Sequence, residues 1–302
     1  MTTTNKKPLI LMDGGMGREL ERIGAPFKQP EWSALALMEA PETVLKAHEN
    51  FIHAGAEVII TNSYAVVPFH IGQERFNTKG AELIRLSAEL AREAADKATH
   101  NVKVAGAIPP LFGSYNPDAY CEEKAVEILA PFIEGQNDFI DCWVIETISC
   151  IREGAFVAKE LAKTGKPIWA AYTLTDRDND NDPPSIRSEN TIENAVNAAL
   201  SWENIEAILF NCSQPEEMFE AITITKELVT EDIHIGAYAN SFNVRIKKKT
   251  DATRSITGLR EDLTPEEYFI YSEQWREAGA NIIGGCCGIF PDHIQYLREY
   301  LS

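Results

Sequence analysis

Eight short apolar runs recur along the chain, and between them lie longer stretches in which apolar residues return every three or four positions. The runs are LILMDGG (residues 9–15), EVIITNSY (57–64), VKVAGAIPP (102–110), CWVIET (142–147), PIWAAYTL (167–174), EAILFNCS (206–213), HIGAYANS (234–241) and NIIGGCCG (281–288). Continuous apolarity, rather than alternation, marks strands covered on both faces, as in a parallel sheet. In the stretch APETVLKAHENFIHAGA, Val44, Leu45, His48, Phe51 and Ile52 fall on one helical face. GAELIRLSAELAREAADKA and LTPEEYFIYSEQWREAGA behave alike. In the last, Thr264 suits the cap, Pro265 the first turn and Gly279 the stop.

Eight strands alternating with about eight helices over 302 residues predict an α/β fold, a single (β/α)8 TIM-type barrel domain spanning 1–302. A doubly wound open sheet is the alternative. It would usually carry G-x-G-x-x-G after its first strand, whereas DGGMG spaces its glycines differently. Two long connections, TDRDNDNDPPSIRSEN after the fifth strand and SFNVRIKKKTDATRSITGLRED after the seventh, would lie on the face where barrels build active sites.

Charge narrows the partners. Asp and Glu total 46 against 28 Lys and Arg, a formal net charge of −18. Such a surface repels phosphate backbones and anionic lipid, so neither nucleic acid nor a membrane is expected. The N-terminal apolar run is too short for a signal segment, no run reaches membrane-spanning length, and a cytoplasmic protein is expected. In that compartment the six cysteines point to metal or catalysis rather than disulfides.

Two of them, Cys286 and Cys287, are neighbours inside GGCCG. Adjacent strand residues face opposite ways, so the pair can serve one centre only if the strand has ended. Gly284, Gly285 and Gly288 make such a turn feasible. Cys212 ends the sixth strand, two strands away, and a barrel would bring it to the same mouth. Three thiolates with one position open are the pattern of a catalytic zinc at the C-terminal ends of the strands. Buried unreactive thiols, a vicinal disulfide and a closed zinc site with a fourth ligand from a loop are the alternatives. Cys121, Cys142 and Cys150 read as structural, and the six histidines form no ligand spacing. An open zinc–trithiolate centre suits holding a substrate thiol as thiolate, and the natural reaction is alkyl transfer to sulfur.

DGGMGRELERIG, GAEVIITNSY, the ET after the fourth strand, FNCS and AGANIIGGCCGIFPDHI occur in that order over residues 9–294. In this combination the chain resembles the homocysteine S-methyltransferase family. The resemblance implies a zinc-dependent methyltransferase that converts homocysteine to methionine, with Zn2+ on Cys212, Cys286 and Cys287. It implies Asp13, the Gly14–Gly15 turn and Glu146 around the amino-acid head group. Carboxylates at strand ends can hold an ammonium, and a glycine turn's N–H groups can hold a carboxylate. Thr61 and Asn62 are candidates for hydrogen bonds near the metal, with Asn211 and Asn240 in support.

Family donors are S-methylmethionine, S-adenosylmethionine, betaine or, in larger assemblies, a folate, and a sulfonium donor is favoured here. Onium donors want aromatic faces, for which Trp32, Tyr64 and Tyr115, with Phe112, are candidates. The chain departs from the family in the loops after strands three, five and seven, which read AIPPLFGSYNPDAY, SEN and ANSFNVRIKKKT. These leave open another onium donor, another thiol or selenol acceptor, or a non-catalytic zinc or thiol-redox barrel.

Overall fold

The structure, a computed structural model, describes residues 7–301 apart from 178, 180, 181, 189 and 244–257. The eight expected strands are present: β1 Ile10–Leu11, β2 Val58–Ile60, β3 Lys103–Ile108, β4 Cys142–Ile148, β5 Ile168–Tyr172, β6 Ile205–Asn211, β7 His234–Tyr238 and β8 Ile282–Ile283. They form one parallel sheet in the order β1-β8-β7-β6-β5-β4-β3-β2. A parallel bridge between Met12 and Val58 brings β2 back to β1. The ring is therefore closed, a (β/α)8 barrel and not an open sheet.

The long crossover helices between and after these strands are Pro41–His53, Ala81–Asp96, Glu122–Gln136, Ile151–Ala162, Ile192–Leu200, Met218–Leu228, Pro265–Ala278 and Pro291–Tyr300. Their ends follow local chemistry. Thr264 Oγ1 accepts the Glu267 N–H at 3.3 Å, and Gly279 stops the same helix at φ 122°. Two helices that the periodicity does not announce, Met16–Arg22 and Ala34–Glu39, intervene between β1 and its crossover helix.

Strand parity divides the core into two layers. Val58, Ala105, Ala107, Cys142, Val144, Trp169, Ala171, Ala207 and Leu209 fill the barrel interior, while Ile59, Val104, Ile108, Trp143, Ile145, Ile208 and Phe210 face the helices. Cys142 is thus packing, as expected. Cys121 and Cys150 precede helices Glu122–Gln136 and Ile151–Ala162. Among the described residues no helix is long and apolar enough to cross a membrane. The basic middle of the connection after β7 falls in 244–257, outside the described residues.

Candidate active site

At the C-terminal mouth the last strand is only Ile282–Ile283, so Cys286 and Cys287 lie beyond it in a turn. That turn is pinned on both sides. The Gly285 N–H donates to Asp13 O and the Cys286 N–H to Ala239 O, while Cys287 O accepts the Ser241 N–H. Gly288 continues the turn at φ 84°. Gly15 lets the first loop approach it: a β-carbon there would stand 2.6 Å from Cys286 O and 3.0 Å from Cys287 Cα.

Cys212 follows β6 at φ 52° and meets the turn with its sulfur 2.6 Å from that of Cys286. The three sulfurs lie within 4.8 Å of one another, and no His, Asp or Glu joins the group among the described residues. All six cysteines are free. Tyr115 and Phe242 pack against the cluster. The pKa of Cys287 falls well below the usual thiol value through hydrogen bonds from Cys212 and Cys286, helped by the charge of Arg18. Interaction with Cys212 and then Cys287 pushes the Cys286 thiol far up. The Cys212 thiol is lowered by Cys286 but raised overall by Cys287 and burial.

This donor set fits zinc: three thiols are the soft donors it takes, and a dication held there would keep all three as thiolates.

The cluster borders a cavity of about 170 Å³. Asp13, Gly14, Gly15, Trp32, Thr61, Asn62, Tyr64, Tyr115, Glu146, Cys212, Cys286 and Cys287 all line it. Asp13 is buried. Its Oδ2 accepts the Ile60 N–H at 2.8 Å, and its Oδ1 has no hydrogen-bond partner. Burial raises its carboxyl well above the usual range; the Ile60 bond opposes this and Glu146 adds to it. Glu146 accepts the Tyr238 hydroxyl at 3.2 Å. Burial, then the electrostatic effect of the Cys212 sulfur beside it, raises it to about 8. Two desolvated carboxyls sharing one cavity call for a cation.

Backbone strain concentrates at this mouth. Of the five described non-glycine residues with positive φ, Trp32, Tyr115, Thr147 and Cys212 line the cavity, and only Asn204 lies elsewhere. Thr147 is held by a two-way bond with Asn211: its N–H donates to Oδ1 and its hydroxyl accepts from Nδ2, both at 3.0 Å. Asn211 is thus a support, as its position suggests.

Some expected groups are engaged otherwise. The Thr61 hydroxyl donates to Gln136 at 2.6 Å and accepts the Ala107 N–H at 2.9 Å, bracing β2 against β3. The Gly15 N–H donates to Ile289 O at 2.8 Å, so this amide does not face a substrate carboxylate. Asn62 donates to Ser33 O, and Asn240 accepts the Phe242 N–H. Phe112 lines a neighbouring cavity instead. Sequence reasoning missed Arg18, Phe27, Ser33, His70, Ser114 and Tyr238, which also line the main cavity. Only Tyr238, at the end of an apolar run, carried a positional signal.

Comparison with known proteins agrees with this geometry. The homocysteine S-methyltransferase family model matches residues 10–301. A selenocysteine methyltransferase of Astragalus bisulcatus is 28% identical, the match covering 96% of this chain and 91% of that protein. Homocysteine S-methyltransferase YbgG of Bacillus subtilis is also 28% identical, over 97% and 94%. The metallated form of the homocysteine methyltransferase MmuM of Escherichia coli superposes with a TM-score of 0.77 at 26% identity, covering 97% of this chain and 96% of that one. With a matching family model along almost its whole length and the three-cysteine centre in place, the chain belongs to the homocysteine S-methyltransferase family.

Proposed function

We propose that the protein is a zinc-dependent S-methyltransferase that moves a methyl group from a sulfonium donor to homocysteine, giving methionine. The observation that carries this reading is that three cysteine sulfurs and the unpartnered Asp13 Oδ1 border one cavity. Cys212, Cys286 and Cys287 would hold the zinc. Bound there, it lowers the pKa of a substrate thiol so that the thiolate persists at neutral pH.

The remaining work falls to the chain. Asp13 and Glu146 take the substrate ammonium, which places its sulfur toward the cysteines. Asn211 holds the Thr147 backbone and, through it, the direction of Glu146. Trp32, Tyr64 and Tyr115 offer aromatic faces to the donor's sulfonium and limit water around it. The substrate sulfur attacks the methyl carbon in line. The carbon–sulfur bond to the donor breaks with its electron pair on the departing thioether, which needs no proton.

Elemental analysis of protein purified under reducing conditions tests the centre. About one zinc per chain, with three thiols becoming reactive on chelation, is expected. Full methyl transfer and normal zinc content in Cys286→Ala would sink the mechanism. A selenol acceptor is the second reading, favoured by the selenocysteine methyltransferase relative. Competition between homocysteine and selenocysteine at equal concentration decides between them.

A further inference from the structure

Two of the strained residues at the cavity mouth lie against each other. Cys212 has φ 52° and Tyr115 has φ 60°, and both belong to the small cluster with Phe242. Residues other than glycine keep such conformations only where their surroundings hold them there. One side chain reaches both. The guanidinium carbon of Arg187 lies 4.5 Å from the centre of the Tyr115 ring. Its Nε donates to Thr173 Oγ1 at 3.0 Å, and the Thr173 hydroxyl in turn reaches Cys212 O at 3.5 Å.

Arg187 lies in the connection after β5. It is buried, as is Asp176, whose carboxylate faces it across 3.8 Å. Asp176 extends the grip. Its Oδ1 accepts the Gln214 N–H at 3.0 Å, and Ser213 Oγ accepts the Leu174 N–H at 2.7 Å. Cys212, Ser213 and Gln214 are thus held one after another by the segment that follows β5. Stability alone does not account for a charge pair so far from water, since apolar side chains of similar volume would avoid its desolvation cost. Such side chains could not lie flat on a ring and also donate a directed hydrogen bond, which a planar guanidinium does.

We propose that Arg187 is a positioning residue for the cysteine centre. Stacked on Tyr115 and bonded through Thr173, it keeps Cys212 turned toward Cys286 and Cys287, so that the three sulfurs converge before any metal arrives. The proposal rests on the reading of those sulfurs as zinc ligands. It adds a group that does not line the cavity and acts on a ligand from behind.

The test uses the full chain with Arg187→Met, Thr173→Val and the two combined, each melted to confirm folding. Competition with a chromophoric chelator reads zinc affinity. Arg187→Met is expected to weaken it about tenfold or more, as loss of an outer partner does. Thr173→Val keeps the stacked ring and the ion pair and is expected to weaken it less. The double variant should lose less than the two single losses combined, because both residues act along one path. Arg187→Met leaves Asp176 without this partner. Arg187→Met with Asp176→Asn covers the case in which the single variant does not fold, since Asn keeps an oxygen for the Gln214 amide and drops the charge. Zinc affinity within about twofold of wild type in a folded Arg187 variant, or losses that simply add, would overturn the proposal.

The stripped protein gives a reading that needs no metal. In a glutathione buffer, Cys212 and Cys286 join as glutathione disulfide takes their two electrons and two protons, and the equilibrium constant reports how closely the free thiols are held. Peptide mapping identifies the bond. Arg187→Met should lower that constant about tenfold or more, and an unchanged constant overturns the proposal. If wild-type protein takes up no zinc while this difference holds, the metal reading fails and the positioning role stands.

Discussion

Asp13 divides one carboxylate between two tasks. Oδ2 braces β2 through the Ile60 amide, and Oδ1 is left for a ligand. Asp13→Asn can keep an oxygen on Ile60 but turns an N–H2 toward the cavity. It should raise the homocysteine KM about tenfold or more while leaving the fold intact, because a charge-assisted bond becomes a repulsive contact; steady-state kinetics with thermal melts check both halves. Gly15 makes a different point. In the sequence it belongs to a glycine turn and reads as a ligand for a carboxylate, yet its contacts make it a spacer beneath the cysteine turn. Gly15→Ala is expected to lose zinc and about 1–3 kcal/mol of stability through overpacking, and metal content beside a melting curve measures the two. Residue type and place were legible at both positions. Which atom faces the ligand was not, because that depends on partners far along the chain, such as Ile60 and Ile289.

Among elements, β4 carries a local device that periodicity cannot signal. Its register against β5 slips between Ile145 and Ile148, inserting one residue. The bulge holds Glu146 and Thr147, and such an insertion re-aims side chains at a strand end. Asn211→Ala removes both bonds to Thr147 and should reduce kcat/KM with little change in zinc content, which separates positioning from metal binding. The helix that follows β4 has its own titrating group. Glu153 is buried and accepts the Leu111 N–H at 2.8 Å. Burial, opposed by that bond, raises it from 4.5 to about 7. The folded state therefore keeps a proton that the unfolded chain releases at lower pH. The stability this proton contributes is fully present below pH 4.5 and is lost as pH rises through about 7. The shift corresponds to at most about 3 kcal/mol. Glu153→Gln should flatten the decline in denaturant midpoint across that window; an unchanged slope would mean the carboxyl is ionised throughout.

On the scale of the molecule, the barrel and the meeting of Cys212 with Cys286 and Cys287 were legible because both follow from strand count and strand order. Strand bounds were less so: LILMDGG contains only two strand residues before the chain turns to form the site. The helices Met16–Arg22 and Ala34–Glu39, and the second cavity beside them, arise from packing between loops and left no periodic trace. The charge of −18 acts at this scale too. S-methylmethionine is a net cation, while betaine has no net charge, so the protein's field should speed encounter with the first alone. Raising ionic strength from about 0.01 to 0.15 M is expected to lower kcat/KM for the cationic donor and leave that for a neutral one nearly unchanged.

The barrel's closure has a mechanical consequence. β1 and β8 are two residues each, and β1 meets β2 through the single Met12–Val58 bridge. The first and last thirds of the chain are thus zipped together at the thinnest part of the ring. Cys286, Cys287 and Asp13 sit on that zip, whereas Cys212 is anchored on the sturdier β6. An ion gripped by all three sulfurs would act as a rivet across the joint, so that charging the protein with metal also fastens its two ends. Amide protons of β8 and of residues 284–288 should then exchange with solvent much more slowly in the loaded protein than in the stripped one, with β4 to β6 indifferent to the change.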